Sequence, residues 1–451
     1  MNPNIVIWSI VSSLAGFLFG FDTVVISGAE KTIQQLWGLS PGMHGVAIAS
    51  ALYGTVLGAM CGGWPTDRLG RRPTLFWIGV LYFVSAVWSG LAGDVWSFIV
   101  ARFIGGLGVG ISTVASPLYI SEISPPAARG RLAGMFQFNI VLGILAAFLS
   151  NYLLEGVEND WRWMLGAEAF PAFAYTLASL AIPESPRWLL LQNTEASRQQ
   201  ARSVLLRMSP HATPGELDTT AARIVAASQP TQGSSAAAAA SLRRPLILAF
   251  LIAFFNQFSG INAILYFAPR IFELAGMGEK AALLQSIGIG ITNLVFTFVG
   301  LWLIDRLGRR TLLVIGSLGY IVSLGLCAWA FATGTFAIVP ACIFAFIAAH
   351  AIGQGAVIWV FIAEIFPDAY RATGQAIGCA THWIIAALLT TIFPALVTQF
   401  APSTVFGFFC GMMLLQLVWV LTMVPETKGV PLEEIAARLG RPAGREGETA
   451  S

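Results

Sequence analysis

The feature that most constrains this chain is a rhythm of long apolar runs, each about as long as a bilayer is thick. A helix needs about 20 mostly apolar residues to cross the hydrocarbon layer. Twelve such runs can be read, at residues 5–28, 43–64, 73–92, 95–118, 131–152, 163–181, 243–268, 281–304, 311–333, 336–361, 371–397 and 402–424. They do not alternate apolar and polar residues as barrel strands do, so they are expected to be helices. The charge content agrees. Only 11% of the 451 residues are charged and 56% are hydrophobic, whereas a soluble domain carries about 25% charge. A soluble core of this length could not hide so much apolar surface, and the mean hydropathy is +0.74. The N-terminal MNPNIVIWSI has no basic region and no cleavage site, so it reads as the start of the first span.

One long polar stretch, residues 183–242, interrupts the rhythm. Its first part, with Arg187, Arg198, Arg202 and Arg207, suits short amphipathic helices on the membrane surface; TQGSSAAAAAS further on reads as a linker. The expected organisation is therefore a six-helix bundle (1–182), a cytoplasmic linker (183–242), a second six-helix bundle (243–424) and a cytoplasmic tail (425–451). Basic residues set the orientation. The loops after even-numbered spans plus the C-terminus hold 20 of the 25 Lys and Arg, against four (Lys31, Arg162, Arg270, Lys280) after odd-numbered spans. Both termini are expected in the cytoplasm. Lysine is scarce beside arginine, which suits a GC-rich bacterial genome and an inner membrane.

The two halves repeat. Asp67-Arg68-Leu69-Gly70-Arg71-Arg72 recurs as Asp305-Arg306-Leu307-Gly308-Arg309-Arg310, SEISPPAARG around Glu122 as AEIFPDAYRATG around Glu364, and Pro183-Glu184 as Pro425-Glu426. Two six-helix halves related by such a repeat are the layout of a carrier that rocks around a midplane site. Other classes find no support. The five cysteines lie in apolar runs without metal or redox spacing. The basic residues form no nucleic-acid footprint. HExxH, GxSxG and P-loop patterns are lacking, and the glycines of GGLGVG (105–110) read as helix-packing positions, with no strand–helix unit around them. No cofactor or metal is expected.

With DRLGRR in both halves, SEISPPAARGR, PESPRW at 183–188, PETKG at 425–429, GFDTVVISGA at 20–29 and NQFSGINAILYFAP at 256–269, the chain resembles the sugar porter family of the major facilitator superfamily. The resemblance runs over essentially the whole chain. It implies an all-α membrane protein of twelve transmembrane helices in two six-helix pseudo-repeats, with short cytoplasmic helices between them. It also implies transport of a monosaccharide, with protons in the bacterial members, by a protein that works as a monomer in the bilayer.

Two ionisable residues stand inside apolar runs, Asp22 in the first span and Arg102 in the fourth. A lone charge there costs about 2.5–3.5 kcal/mol even on a lenient scale, so the two are expected to pair across packed helices. Either the pair locks packing permanently, or it is a proton switch in which protonation of Asp22 breaks it. The resemblance favours the switch, because proton-coupled sugar porters carry aspartate at this position. Glu168 in the sixth span matches an acid of a proton-coupled xylose porter; it tunes the relay or is a helix-end acid held by a nearby donor.

Sugar hydroxyls both donate and accept, as amides do, and aromatic faces cover the apolar side of the ring. The resemblance places Gln137, the amides Asn256, Gln257 and Asn262, Asn293, and the stacking Trp359 with Trp383 at such a site. The alternative for each amide is helix–helix hydrogen bonding. The sequence departs from the family at three places: Asn256 stands for a common glutamine, His382 for an Asn or Gln, and GQGAVIWVFIAEIF lacks the prolines before Trp359, with Gln354 as an extra amide. His382 is a sugar ligand, a second titrating group, or a neutral histidine bonded between helices.

The loop repeats supply acids as well as arginines, which the positive-inside rule does not need. They are expected to form a cytoplasmic latch of Asp67, Arg71, Glu122, Arg129, Glu184, Arg187, Asp305, Arg309, Glu364, Arg371 and Glu426, in which Arg71, Arg129, Arg309 and Arg371 pair with acids across the halves when the cytoplasmic side is closed and Glu184, Arg187 and Glu426 extend the network. The functions in competition are proton–sugar symport, facilitated diffusion, and sugar sensing without transport. The acid at position 22 argues against the second and the short C-terminus against the third.

Overall fold

The computed structural model describes residues 2–125, 128–226, 242–366, 370–430 and 435. The first part of the chain forms α1 (Pro3–Leu36), α2 (Pro41–Cys61), α3 (Gly63–Arg68), α4 (Arg71–Leu91), α5 (Val95–Ile123), α6 (Arg129–Leu154), α7 (Asp160–Gly166) and α8 (Ala169–Ser179). The polar stretch forms α9 (Pro186–Leu191), α10 (Glu195–Met208) and α11 (Pro214–Ala226). There follow α12 (Arg243–Phe258), α13 (Ile261–Tyr266), α14 (Ala268–Leu274), α15 (Glu279–Leu307), α16 (Arg309–Thr333), α17 (Val339–Ile352), α18 (Gln354–Ile365), α19 (Arg371–Gln399) and α20 (Pro402–Met423). The linker sequence TQGSSAAAAAS and most of the 425–451 tail lie outside the described residues.

The helices start where the sequence punctuates them. Asn2, Ser40 and Asp94 cap α1, α2 and α5 with side-chain acceptors, and Pro3 and Pro41 fill first-turn positions where a missing N–H costs nothing. Thr194 and Ser197 form a reciprocal capping box on the surface helix α10. Large apolar side chains such as Leu91, Leu153, Phe170, Val322 and Leu415 face outward, a surface suited to lipid.

Among the described residues, eleven stretches are long and apolar enough to cross a membrane. The sixth expected span, 163–181, is broken into α7 and α8 instead. Pro171 has no N–H for the Ala167 carbonyl, which instead takes a tighter bond from the Phe170 amide at 3.3 Å. The break sets Glu168 between two helices. Two further spans are interrupted: the seventh at Gly260, whose φ is +85°, and the tenth at Gly353, between α17 and α18. Interrupted helices are tolerated at membrane depth where other protein re-satisfies the freed backbone.

The chain divides into two compact units, and the division does not follow the sequence midpoint strictly. Residues 1–230 are joined by 265–270 and 278–290; the second unit comprises 231–264, 271–277 and 291–451. In the first, α2 packs on α5, α1 on α6 and α4 on α5; in the second, α16 packs on α20 and α17, and α12 on α19. Small residues bring the first unit's helices together. A Cβ on Gly106 would lie 1.8 Å from the Ala51 carbonyl oxygen, and one on Gly110 2.4 Å from that of Thr55. Gly54 and Gly58 answer from α2, where a Cβ would meet Phe103 and Leu107 carbonyls at 2.1 and 2.5 Å. Part of GGLGVG is thus a packing seam. Gly106→Ala should force α2 off α5 and cost more than the ~1–3 kcal/mol usual for overpacking. Gly108→Ala, whose Cβ would meet its nearest neighbour at 3.4 Å, should be tolerated. Thermal unfolding of the two purified variants in the same detergent reads the difference, and equal melting temperatures would refute the seam.

Candidate functional site

Three ionisable groups meet in the first unit. Asp22 on α1 and Arg102 on α5 are 1% and 2% exposed. Arg102 donates through Nη1 to the Asp22 carboxylate and through Nη2, at 2.9 Å, to the Asp22 backbone carbonyl. Gly105, one turn along α5, leaves room beside the carboxylate, since a Cβ there would come within 3.5 Å of Asp22 Oδ1 and 2.4 Å of the Ser85 hydroxyl. Glu168, held at the α7–α8 break and 1% exposed, is in side-chain contact with Asp22. Its Oε1 and the Arg102 Nε have no hydrogen-bond partner. Two carboxyls and one guanidinium are electrically neutral only when the carboxyls hold one proton between them. In this setting neutrality decides, because an uncompensated charge cannot reach water. The sequence pointed to all three residues. It gave no signal for Tyr266, a buried hydroxyl close to Asp22.

A polar cluster occupies the second unit. Gln257 is its hub: its Nε2 donates to Asn256 Oδ1 at 3.0 Å, and its Oε1 accepts from Asn262 Nδ2 at 2.8 Å. The left-handed turn at Gly260 interrupts the helix between Gln257 and Asn262, whose amides are bonded across it. The same Nε2 lies 3.2 and 3.1 Å from the two ring nitrogens of His382. An atom in the ring plane could not sit equally near both without colliding with the carbon between them, so the amide rests over the ring face. The in-plane donor and acceptor of His382 are not used by Gln257. Trp359 and Trp383 flank His382, with ring centroids 5.1 and 4.7 Å away. The Trp359 backbone carbonyl accepts from Gln375 at 3.1 Å. Asn293 on α15 is buried but makes no recorded contact with this cluster, and Gln137 is half-buried on α6 in the first unit. A second layer escaped the sequence reading. The Tyr320 hydroxyl lies 2.6 Å from His350 Nδ1, and Gln354 donates to Gln416, which donates to Ser317. Gln354 was singled out in the sequence as an extra amide; its partner Gln416, also an amide inside an apolar run, was not.

The loop repeats build the same structure twice. Arg71 grips Glu122 with two bonds of 2.9 Å and also donates to Asp67 at 3.2 Å and to the Thr66 carbonyl at 3.0 Å. Arg309 grips Glu364 at 3.0 and 2.7 Å, Asp305 at 3.2 Å and the Ile304 carbonyl at 3.1 Å. Gly70 and Gly308, at φ +103° and +92°, turn the chain into α4 and α16. The Glu184 and Glu426 carboxylates cap the Arg71–Arg72 and Arg309–Arg310 amides there. Burial pushes the Glu184 carboxyl above the usual range, against the pull of the Ser185, Arg71 and Arg72 amides. Arg71 and Arg309 are each bonded within their own repeat, because the bidentate acid lies on the helix that packs beside it. Arg187 is half-buried on α9, and the side chains of Arg129 and Arg371 lie outside the described residues.

A twofold-repeated helical membrane protein with a buried acid–guanidinium group and an amide–aromatic cluster belongs to the class of secondary carriers. The sequence matches the family described as "Sugar (and other) transporter" over residues 8–439. It is 34% identical over 443 residues to the arabinose-proton symporter of Bacillus subtilis, covering 96% of this chain and 94% of that protein. To the D-xylose-proton symporter of Escherichia coli K12 it is 32% identical over 471 residues, covering 95% and 94%. Its fold superposes on the inward open conformation of the xylose transporter XylE from E. coli with a TM-score of 0.84 at 30% identity, covering 95% and 98%. The chain belongs to the sugar porter family of the major facilitator superfamily and is a multi-pass membrane protein with the twelve-helix fold, its sixth crossing made in two pieces.

The three-group centre makes a stability prediction. In Asp22→Asn, Glu168 can ionise and serve as counter-charge, so the loss should be small. In Asp22→Asn/Glu168→Gln, Arg102 is left without an acid, which should cost about 3–5 kcal/mol. Thermal unfolding of both variants tests this, and equal losses would mean that Glu168 does not share the charge.

Proposed function

We propose that this protein carries a monosaccharide, a pentose or hexose, inward with protons across a bacterial inner membrane by alternating access. In this reading it works as a monomer with both termini in the cytoplasm. The observation that carries the proposal is the buried contact of Asp22 with both Arg102 and Glu168. Such a group can gain or lose one proton and in doing so change whether α1 is held to α5. Family membership and the symporters among the relatives support the same reading.

Asp22 is the proton acceptor, Arg102 its partner and Glu168 the second carboxyl that shares the proton. The sugar is taken by Gln257, Asn256 and Asn262, with Trp359 and Trp383 against the ring and Gln137 and Asn293 as further amides. His382 keeps its in-plane nitrogens for a sugar hydroxyl. The Arg71–Glu122 and Arg309–Glu364 groups, with Asp67 and Asp305, belong to a cytoplasmic latch in which Arg71, Arg129, Arg309 and Arg371 pair with acids across the halves when that side is closed. Glu184, Arg187 and Glu426 extend the network.

Reconstituted in liposomes, the wild type should accumulate one sugar of a labelled panel above equilibrium only when an inward proton gradient is imposed. Asp22→Asn should lose accumulation yet retain sugar exchange. Equilibration by the wild type regardless of the gradient would make the protein a facilitator and the pair a structural one. Gln257→Ala should raise the half-saturating sugar concentration about tenfold, the worth of one lost hydrogen bond near 1.4 kcal/mol. An unchanged value would remove Gln257 from the site.

A further inference from the structure

A second buried ionisable pair lies apart from Asp22. Glu30 on α1 and His44 on α2 are 1% and 0% exposed, near the 36–41 connection between their helices. The Glu30 carboxylate is a bridge: its Oε1 is 3.0 Å from Arg270 Nε on α14, and its Oε2 is 3.0 Å from His44 Nε2. Arg270 also donates to Gln34 Oε1 at 2.5 Å, and Phe267 meets the His44 ring edge-on with centroids 6.1 Å apart. Residues 265–270 follow the break at Gly260 and belong to the first unit. They are therefore tied to α1 and α2 by contacts that converge on Glu30 and His44. The contact between these two is at ion-pair distance but lacks hydrogen-bond alignment, and His44 Nδ1 has no partner. The link is therefore not a fixed directional bond.

The neighbouring ionisable groups are Lys31, Tyr266 and Glu273 on the same elements. On the helices packed alongside, Asp94 caps α5, Arg102 holds Asp22, Arg162 donates to the Gly90 carbonyl and Glu155 pairs with Lys280. Glu30, Arg270 and a neutral His44 sum to zero charge. One added proton makes the group cationic. On His44 it sets two cations against one carboxylate, and the hold on residues 265–270 weakens. Histidine is the side chain that titrates between pH 5 and 8.

We propose that Glu30 and His44 form a second proton-binding site, and that its protonation releases residues 265–270 from α1 and α2. The physiological sense of this latch rests on the reading above, which puts this end of α1 outside, on the acidic face of an energised membrane. The release itself does not depend on it. Hydrogen–deuterium exchange of the full chain in nanodiscs, without sugar or gradient, tests it on the peptide covering residues 261–274, at pH 8 and pH 5 and corrected for intrinsic exchange. In the wild type, protection should fall about tenfold at the lower pH. His44→Gln keeps the carboxylate on Arg270 and should be protected at both pH values; Glu30→Gln loses it and should be unprotected at both. Asp22→Asn should keep the wild-type fall. An unchanged wild type, a wild-type fall in either Glu30→Gln or His44→Gln, or loss of the fall in Asp22→Asn would overturn the proposal. If His44→Gln does not fold, Glu30→Gln decides alone. Transport is not the readout, so failure of gradient-driven uptake and failure of the latch are separate results.

Discussion

Lipid offers a buried charge no water to turn to, and the contact of Arg102 with Asp22 is this protein's answer across α1 and α5. Much of the first unit is arranged around it. The glycine seam between α2 and α5 brings α5 inward, Gly105 leaves room beside the Asp22 carboxylate, and Pro171 breaks the sixth crossing so that Glu168 meets Asp22. A proton is the one ligand that can alter such a centre without entering as a bulky group. A permanent ion pair would be satisfied by one acid and one base. The second carboxyl leaves the centre one proton short of neutrality whenever both acids are ionised, and that surplus is what makes the group a switch in the proposed mechanism.

The loop motifs answer a different need. Each half begins its third and ninth crossings with a glycine in the left-handed region, an acid from the end of the same half capping the new helix, and an arginine clamped on a neighbouring acid. The geometry repeats almost distance for distance. Six groups that would each be costly at a lipid boundary are satisfied within their own repeats, which ties the start of each of these crossings to the end of its own half.

Much of this was legible in the sequence because it depends on short-range or repeated signals. Apolar run length gave the spans, and DRLGRR with its matched acids gave both clamps. A charge inside an apolar run exposed Asp22 and Arg102. The broken sixth crossing was harder, since Pro171 sits near the start of α8, where proline also suits an unbroken helix start. Which acid each arginine grips within its own repeat was not legible: residue type says that an arginine needs an acid, but only packing says which one lies on the adjacent helix. Glu30, His44 and Arg270 went unread as a group because each stands near a span end, where an isolated polar residue is ordinary. Their meeting depends on the segment that follows the turn at Gly260, where Arg270 reaches Glu30.

That turn also bears on how one helix serves two proton-sensitive contacts. Asp22 and Glu30 are eight residues apart on α1, about 12 Å along an unbroken helix. One is bound to α5 and the other bridges α2 and α14. The two contacts share α1 but no partner, so each can change its protonation without breaking the other. Release of Arg270 removes one of the contacts that hold α1 in place and leaves the Asp22 centre its own. In the proposed cycle the outer contact samples the pH of the compartment from which the proton comes, and the inner centre holds that proton during the crossing.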